Sequence, residues 1–258
     1  MTSTPALRIG TAGGNIPGEA KSAFSQMPSQ LESYARVFGG VEINSSFYRS
    51  HRISTYERWA AAVPDDFRFA VKMPKTITHQ RKLVDAELLA DQFVAEVAGL
   101  GTKLGPLLIQ LPPSLAFNPS TAEPFFRHLR SRVVGPIACE PRHGSWFNAD
   151  VDEILNAFQI GRVVADPSPT PQAKHPGGWR GLQYLRLHGS PRIYYSDYSD
   201  AQIDDALAPL SVAAEDGSEC WCIFDNTASG AATLNALTAI ARCDTVQENS
   251  ACWTGSSQ

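Results

Sequence analysis

The chain has 258 residues, 43% of them hydrophobic and 19% charged, with 22 Lys and Arg against 26 Asp and Glu for a formal net charge of -4. That balance argues against a surface built throughout to hold nucleic acid, although a local basic cleft is compatible with it, and the length suits a single α/β barrel as well as two small domains. Five cysteines without paired C-x-x-C spacing, three of them inside apolar strand patterns, predict reduced thiols and a cytoplasmic protein, and no basic leader or bilayer-length apolar run is present, so no membrane partner is expected.

In chain order, the first apolar run is "ALRIG" (6–10), followed by a helical pattern over 29–38 that Ser29 can cap and by "GVEIN" (40–44). "FRFAVK" (67–72), a helix over 86–100, "PLLIQL" (106–111) and "PIACE" (136–140) come next, with Pro64, Pro106 and Pro136 marking element ends. A helix over 149–158 with Asn148 as its cap leads to "RVVAD" (162–166), and the stretch 167–181 is too rich in Pro and Gly for a regular helix. "LQYLRLH" (182–188), "CWCIFDN" (220–226) and a helix over 228–241 complete the pattern. Eight strands alternating with helices predict an α/β fold, a TIM-type (β/α)8 parallel barrel, with a doubly wound open sheet as the alternative. A single domain over residues 1–242 is expected, with an irregular loop after strand six and a loosely ordered tail over 243–258.

Side chains two apart on a strand share a face. One face then carries Glu42 and Asn44, Arg68 and Lys72, Gln110, Glu140 and Arg142, Val164 and Asp166, and Tyr184, Arg186 and His188, while the other is almost wholly apolar. In a barrel the apolar face packs under the helices and the polar one looks inward. Its polar residues cluster at the carboxyl ends of the strands, where this fold keeps its ligand site. Such charges can also pair with one another, Glu140 with Arg142 or Lys72 with Glu42, with no further role.

The motifs divide by chemistry. In "KMPKTITHQRKL" Lys72 is an inward anion ligand, and a desolvated lysine there can also shift its pKa, whereas Arg81 and Lys82 read as solvated loop. "CEPRHGSWF" offers Glu140 as general acid or base and Arg142 as a planar fork, with Trp146 and Phe147 beginning the next core. "RLHGSPRIYYSDYSD" places Arg186 and His188 at a strand end before Tyr194, Tyr195 and Tyr198. Glu42, Glu140, Asp166 and His188 have donors suited to Mg²⁺ or Mn²⁺, but the neighbouring cations would repel one, so no cofactor is expected and a divalent metal is left open. "GTAGG" lacks the order of a dinucleotide or P-loop turn, and no serine sits on a nucleophile elbow.

Taken together, "VEINSSFYR", "FRFAVKMPKTITHQRKL", "LGPLLIQLPPSLAF", "CEPRHGSW", "VVADPSP", "YLRLHGS" and "FDNTASGAATLNAL" resemble the YecE-like family, domain of unknown function 72, over about Ala6 to Ala241. The resemblance implies a TIM-type barrel of unestablished activity, a fold that has been likened to the barrel endonucleases of DNA repair. It also implies that Glu42, Asn44, Tyr48, Lys72, Thr78, His79, Gln110, Glu140, Arg142, Trp146, Asp166, Arg186, His188, Tyr195 and Asn226 hold motif positions. Two departures stand out: the first loop lacks the family's usual Trp, and Asp225 replaces the first Asn of a common pair.

The functional expectation is a hydrolase or lyase acting on an anionic, phosphate-bearing small ligand. Glu140, Glu42, Asp166 and His188 form the catalytic set; Lys72, Arg142, Arg186, Asn44, Gln110, Tyr48, Tyr195 and Asn226 bind the substrate. A nucleic-acid-processing enzyme and a non-catalytic ligand- or protein-binding barrel are the alternatives.

Overall fold

The structure, a computed structural model, describes the backbone of residues 7–254 and the side chains of residues 7–243. The strands are β1 (Leu7–Thr11), β2 (Gly40–Ile43), β3 (Arg68–Lys72), β4 (Leu104–Gln110), β5 (Ile137–Glu140), β6 (Ile160–Arg162), β7 (Val164–Asp166), β8 (Gly177–Gly178), β9 (Leu182–Leu187) and β10 (Glu219–Phe224). The helices are α1 (Gln30–Ala35), α2 (Ser45–Tyr48), α3 (Ile53–Ala61), α4 (Glu87–Val97), α5 (Pro119–Arg132), α6 (Ala149–Ala157), α7 (Asp200–Glu215) and α8 (Ala231–Thr254). Ser29 caps α1 by accepting from the Glu32 amide, and Asn148 caps α6 by accepting from that of Val151. The backbone of α8 is helical as far as Thr254, and the rest of the expected tail lies outside the described residues.

This is a mixed α/β fold with two parallel sheets, ordered β1-β10-β9-β7 and β2-β3-β4-β5-β6, the second edged by the short antiparallel β8. Strand six is interrupted at Val163. Its first half pairs with β5 in one sheet and its second half with β9 in the other. At the opposite side Ala12 bridges Glu42 in parallel fashion, and the Gly13 amide donates to the Glu42 carbonyl at 2.8 Å. Between β7 and β9 the chain holds only the 3-10 turn Pro171–Lys174 and β8, with no α-helix.

Two apolar layers result. The larger holds Val41, Phe69, Leu107, Ile137, Leu185 and Phe224 against helix residues such as Phe93, Phe125 and Leu207. The smaller gathers Ala12, Ala70, Leu108, Ala138, Val163, Tyr184, Trp221 and Ile223, inward residues of strands from both sheets. Trp221 fills its floor, stacked on Tyr184 with centroids 6.0 Å apart. A Cβ on Gly40 would lie 2.7 Å from Trp221 Cζ3, and one on Gly105 2.8 Å from its Cζ2. Both glycines are there because the indole occupies the space a side chain would take.

Register corrects two expectations. Gly161 pairs with Ala138 and Ala165 with Arg186, so Gly161, Val163 and Ala165 face inward. Val164 and Asp166 pair with Leu185 and Leu187 on the outer face, opposite to the sequence assignment. The run is apolar on both sides, and the lone carboxylate was a misleading guide. Pro106 lies inside β4 rather than at its start, at a register shift opposite Phe69–Val71 where its missing N–H costs no ladder bond.

Candidate functional site

At the carboxyl ends of the strands one guanidinium organises three carboxylates. Arg186, fully buried on β9, donates from Nε to Glu42 Oε2 at 2.9 Å, from Nη2 to Glu42 Oε1 at 2.7 Å and to Asp225 Oδ2 at 2.9 Å, and from Nη1 to Glu140 Oε2 at 2.6 Å. Burial alone would lower the pKa of Arg186, yet Glu42, Glu140 and Asp225 drive it well above the usual value, so it is a permanent cation. Glu42 also accepts from the Tyr184 hydroxyl at 2.9 Å. Burial and the Glu42 charge raise the phenol of Tyr184 well above its ordinary range and keep it neutral.

Glu140, on β5, accepts from Gln110 Nε2 at 3.1 Å and from Arg142 Nε at 2.8 Å, and its Oε1 lies 3.0 Å from His188 Nε2. Burial pushes this carboxyl up, but Arg186, Arg142 and His188 together hold it well below the carboxylate range. Asp225, just past β10, is lowered in the same way: burial is outweighed by Arg186 and His188. His188 lies between the two, with Nδ1 3.0 Å from Asp225 Oδ2. Hydrogens on both ring nitrogens would serve both carboxylates; with Nδ1–H alone, Nε2 accepts from Arg142 Nη2 at 3.0 Å.

The cations overlie the carboxylates toward solvent. Arg142 keeps 22% of its side-chain surface exposed, whereas Glu42 and Glu140 keep 0% and 1%. Its Nη1 makes no hydrogen bond among the described residues. Lys72, at the end of β3, is 8% exposed, and its Nζ stands 4.3 Å from the Phe47 ring centroid with no hydrogen bond or ion pair among the described residues. Burial and Arg186 lower its pKa, against the opposing pull of Glu42, Glu140 and Asp225. The π-helical turn Thr76–Gln80 carries His79, whose ring packs edge-on to Phe47 at 4.9 Å. Burial, Lys72 and Arg142 lower His79 below 6.5, leaving it neutral at neutral pH.

The structure therefore gathers Glu42, Lys72, Gln110, Glu140, Arg142, Arg186 and His188 at one end of the strands. The expected Glu140–Arg142 pair forms; a Lys72–Glu42 pair does not. Asp166 stands apart, accepting from the Tyr198 hydroxyl at 2.8 Å. Asn226 uses its amide to tie down Ser196 and Asn235, and its Oδ1, like Asn44 Oδ1, is buried without a partner. Tyr48 and Tyr195 are rim residues, 70% and 48% exposed. Trp146 belongs to the core and donates to the Leu115 carbonyl.

Two members escaped the sequence assignment. Asp225 was visible as an extra charge, but "CWCIFDN" is apolar on both faces and gave no parity. Tyr194, rather than Tyr195, lies over His188, at 6.0 Å between centroids. Its φ of 70° is unusual for a bulky residue and costs about 1–3 kcal/mol. Among the described residues no group of three His, Cys, Asp or Glu side chains is arranged to hold a metal ion.

Comparison with known proteins agrees with this architecture. Residues 8–254 match the family model described as "Protein of unknown function DUF72". The UPF0759 protein YecE of Escherichia coli (strain K12) is 31% identical over 153 residues, which cover 57% of this chain and 55% of that relative's length. The UPF0759 protein YunF of Bacillus subtilis is 29% identical over 237 residues, 80% of this chain and 83% of the relative. Crystal structures of DUF72 family proteins from Enterococcus faecalis and Thermotoga maritima superpose with TM-scores of 0.76 and 0.75 at 22% and 23% identity. They cover 91% and 92% of this chain, and 94% and 99% of their own. At that identity the likeness speaks to the fold.

Proposed function

The chain belongs to the DUF72 family of proteins of unknown function, and from that premise we propose that it is an enzyme, a hydrolase or lyase, acting on an anionic, phosphate-bearing small ligand at the open end of a closed TIM-type barrel. Closure is supported by the Ala12–Glu42 bridge, by the sharing of strand six between the two sheets, and by the contact of Trp221 with β2 and β4. Reduced Cys139 and Cys222, with thiols pushed up by burial, fit the cytoplasm, and among the described residues no helix is long and apolar enough to cross a membrane.

One observation carries the reading: Arg142 Nη1 and Lys72 Nζ are nitrogen donors without carboxylate partners, above a floor whose own charges are already paired. Arg186 then anchors the floor instead of gripping ligand, because three carboxylates take its donors. Glu140 acts as a fixed anion, and the proton-carrying role falls to the imidazoles of His188 and His79. The test is thermal unfolding with inorganic phosphate, glucose 6-phosphate and unphosphorylated glucose. Stabilisation by both phosphates, lost in Arg142→Ala, is expected. No shift with any anion would transfer the weight to a non-catalytic, partner-binding barrel.

A second reading, a nucleic-acid enzyme, is favoured by the exposed Tyr48 and Tyr195, each with a cation over its ring: Lys75 at 5.7 Å and Arg192 at 3.9 Å. Salt-sensitive binding of short single-stranded DNA that Tyr48→Ala abolishes would support it.

A further inference from the structure

We propose that Lys72 is a nucleophilic amine that forms an imine with an anionic aldehyde or ketone held by Arg142; the inference rests on the anion-site reading above and narrows its substrate class. Lys72 is the last residue of β3, and its backbone is fixed: Ser46 Oγ donates to its carbonyl at 2.6 Å. The side chain is nearly enclosed, yet its nitrogen takes part in no hydrogen bond or ion pair among the described residues, although three carboxylates belong to the same cluster. Those carboxylates are turned to Arg186, so the amine is left with the Phe47 ring as its neighbour. The negative face of an aromatic ring attracts a cation, which favours the ammonium form. Burial and the permanent charge of Arg186 work the other way, and together they outweigh the pull of Glu42, Glu140 and Asp225 and lower the pKa of the amine. Desolvation beside a second cation is how lysine is activated as a nucleophile.

The chemistry needs no oxidant or reductant. The neutral amine attacks the carbonyl carbon, forming a C–N bond as the π electrons move to oxygen. One proton passes from nitrogen to that oxygen to give a carbinolamine. The hydroxyl then leaves as water with a second proton drawn from solvent, and the nitrogen lone pair closes a cationic C=N bond. Glu42, Glu140 and Asp225, which favour positive charge on Lys72, favour this iminium in the same way. Arg142 Nη1 supplies a donor for the ligand's phosphate or carboxylate.

The test uses the full chain with glyceraldehyde 3-phosphate, glyoxylate or unphosphorylated glyceraldehyde, each with sodium cyanoborohydride, followed by peptide mass mapping. Reductive trapping is expected at Lys72 at least about tenfold faster than at the exposed Lys21, Lys82 and Lys174. It should require the anionic probes, be absent from Lys72→Arg, and slow in Arg142→Ala. The phosphorylated and carboxylated aldehydes separate the two kinds of anion. Inorganic phosphate binding, followed in parallel by thermal shift, keeps the two readings distinguishable. Phosphate stabilisation without trapping at Lys72 overturns the imine and leaves the anion site. Adducts spread over the surface lysines, with no phosphate stabilisation, overturn both. Since Lys72→Arg keeps a positive charge, a cooperative unfolding transition in that variant shows that lost trapping reflects the missing amine and not lost folding.

Discussion

Arg186 and Glu42 meet through two parallel hydrogen bonds, Nε to Oε2 at 2.9 Å and Nη2 to Oε1 at 2.7 Å, with neither side chain exposed to solvent. Such a pair offsets its desolvation only while both partners are present. Arg186→Met would leave three carboxylates facing one another, and a loss of roughly 3–5 kcal/mol or more is expected in urea unfolding. A loss below about 1 kcal/mol would mean that the carboxylates find other partners.

The sign of the pH dependence follows from Glu140 and Asp225, both lowered in the folded state. Their contribution to stability is complete above the ordinary carboxylate values and is lost as pH falls through the folded ones. Wild type should therefore exceed Glu140→Gln in stability at pH 7, and the gap should close as pH drops below 4.5. Denaturant titrations at a series of pH values check this, and a gap that widened in acid would contradict it.

Tyr198 is predicted to be a clamp. Its hydroxyl donates to Asp166 Oδ2 and accepts from the Gly189 amide, each at 2.8 Å. Tyr198→Phe orphans both groups and should cost about 1–3 kcal/mol. Asp166→Asn keeps an acceptor there and should cost less than about 1 kcal/mol. Equal losses in the two variants would give the carboxylate a further role.

Gly40→Ala tests the floor of the inner layer. The new methyl would press on Trp221, and overpacking of this kind costs about 1–3 kcal/mol. Trp221→Phe in the same chain should recover part of that loss, a coupling that a double-mutant cycle measures directly.

Much of this was legible in the residues themselves. Strong alternation in "GVEIN", "FRFAVK" and "LQYLRLH" told inward from outward, and it led to Glu42, Lys72 and Arg186. It failed where both faces are apolar: for strand six, which put Asp166 on the wrong side, and for the last strand, which hid Asp225. Which donors remain free could not be read at all. Arg186 and Arg142 look alike in sequence, yet only the spatial convergence of three carboxylates distinguishes an engaged guanidinium from one with a donor to spare. The loop that brings Tyr194 over His188 depends on a left-handed backbone that no periodicity reports.

The order β1-β10-β9-β7 has a consequence for how the chain is put together. The last two parallel strands lie between the first strand and the second half of strand six, so the carboxyl-terminal third is held on one side by the first strand to be made and on the other by the parallel strand made just before it. A chain cut in the loop between Pro167 and Gly181 would leave β1 and β7 with bare edges waiting for the missing pair. The two fragments should then recombine when mixed, the larger serving as a mould for the smaller. During synthesis the same geometry leaves one edge of the amino-terminal strand, the one that faces β10, unpaired until the carboxyl-terminal third has been made.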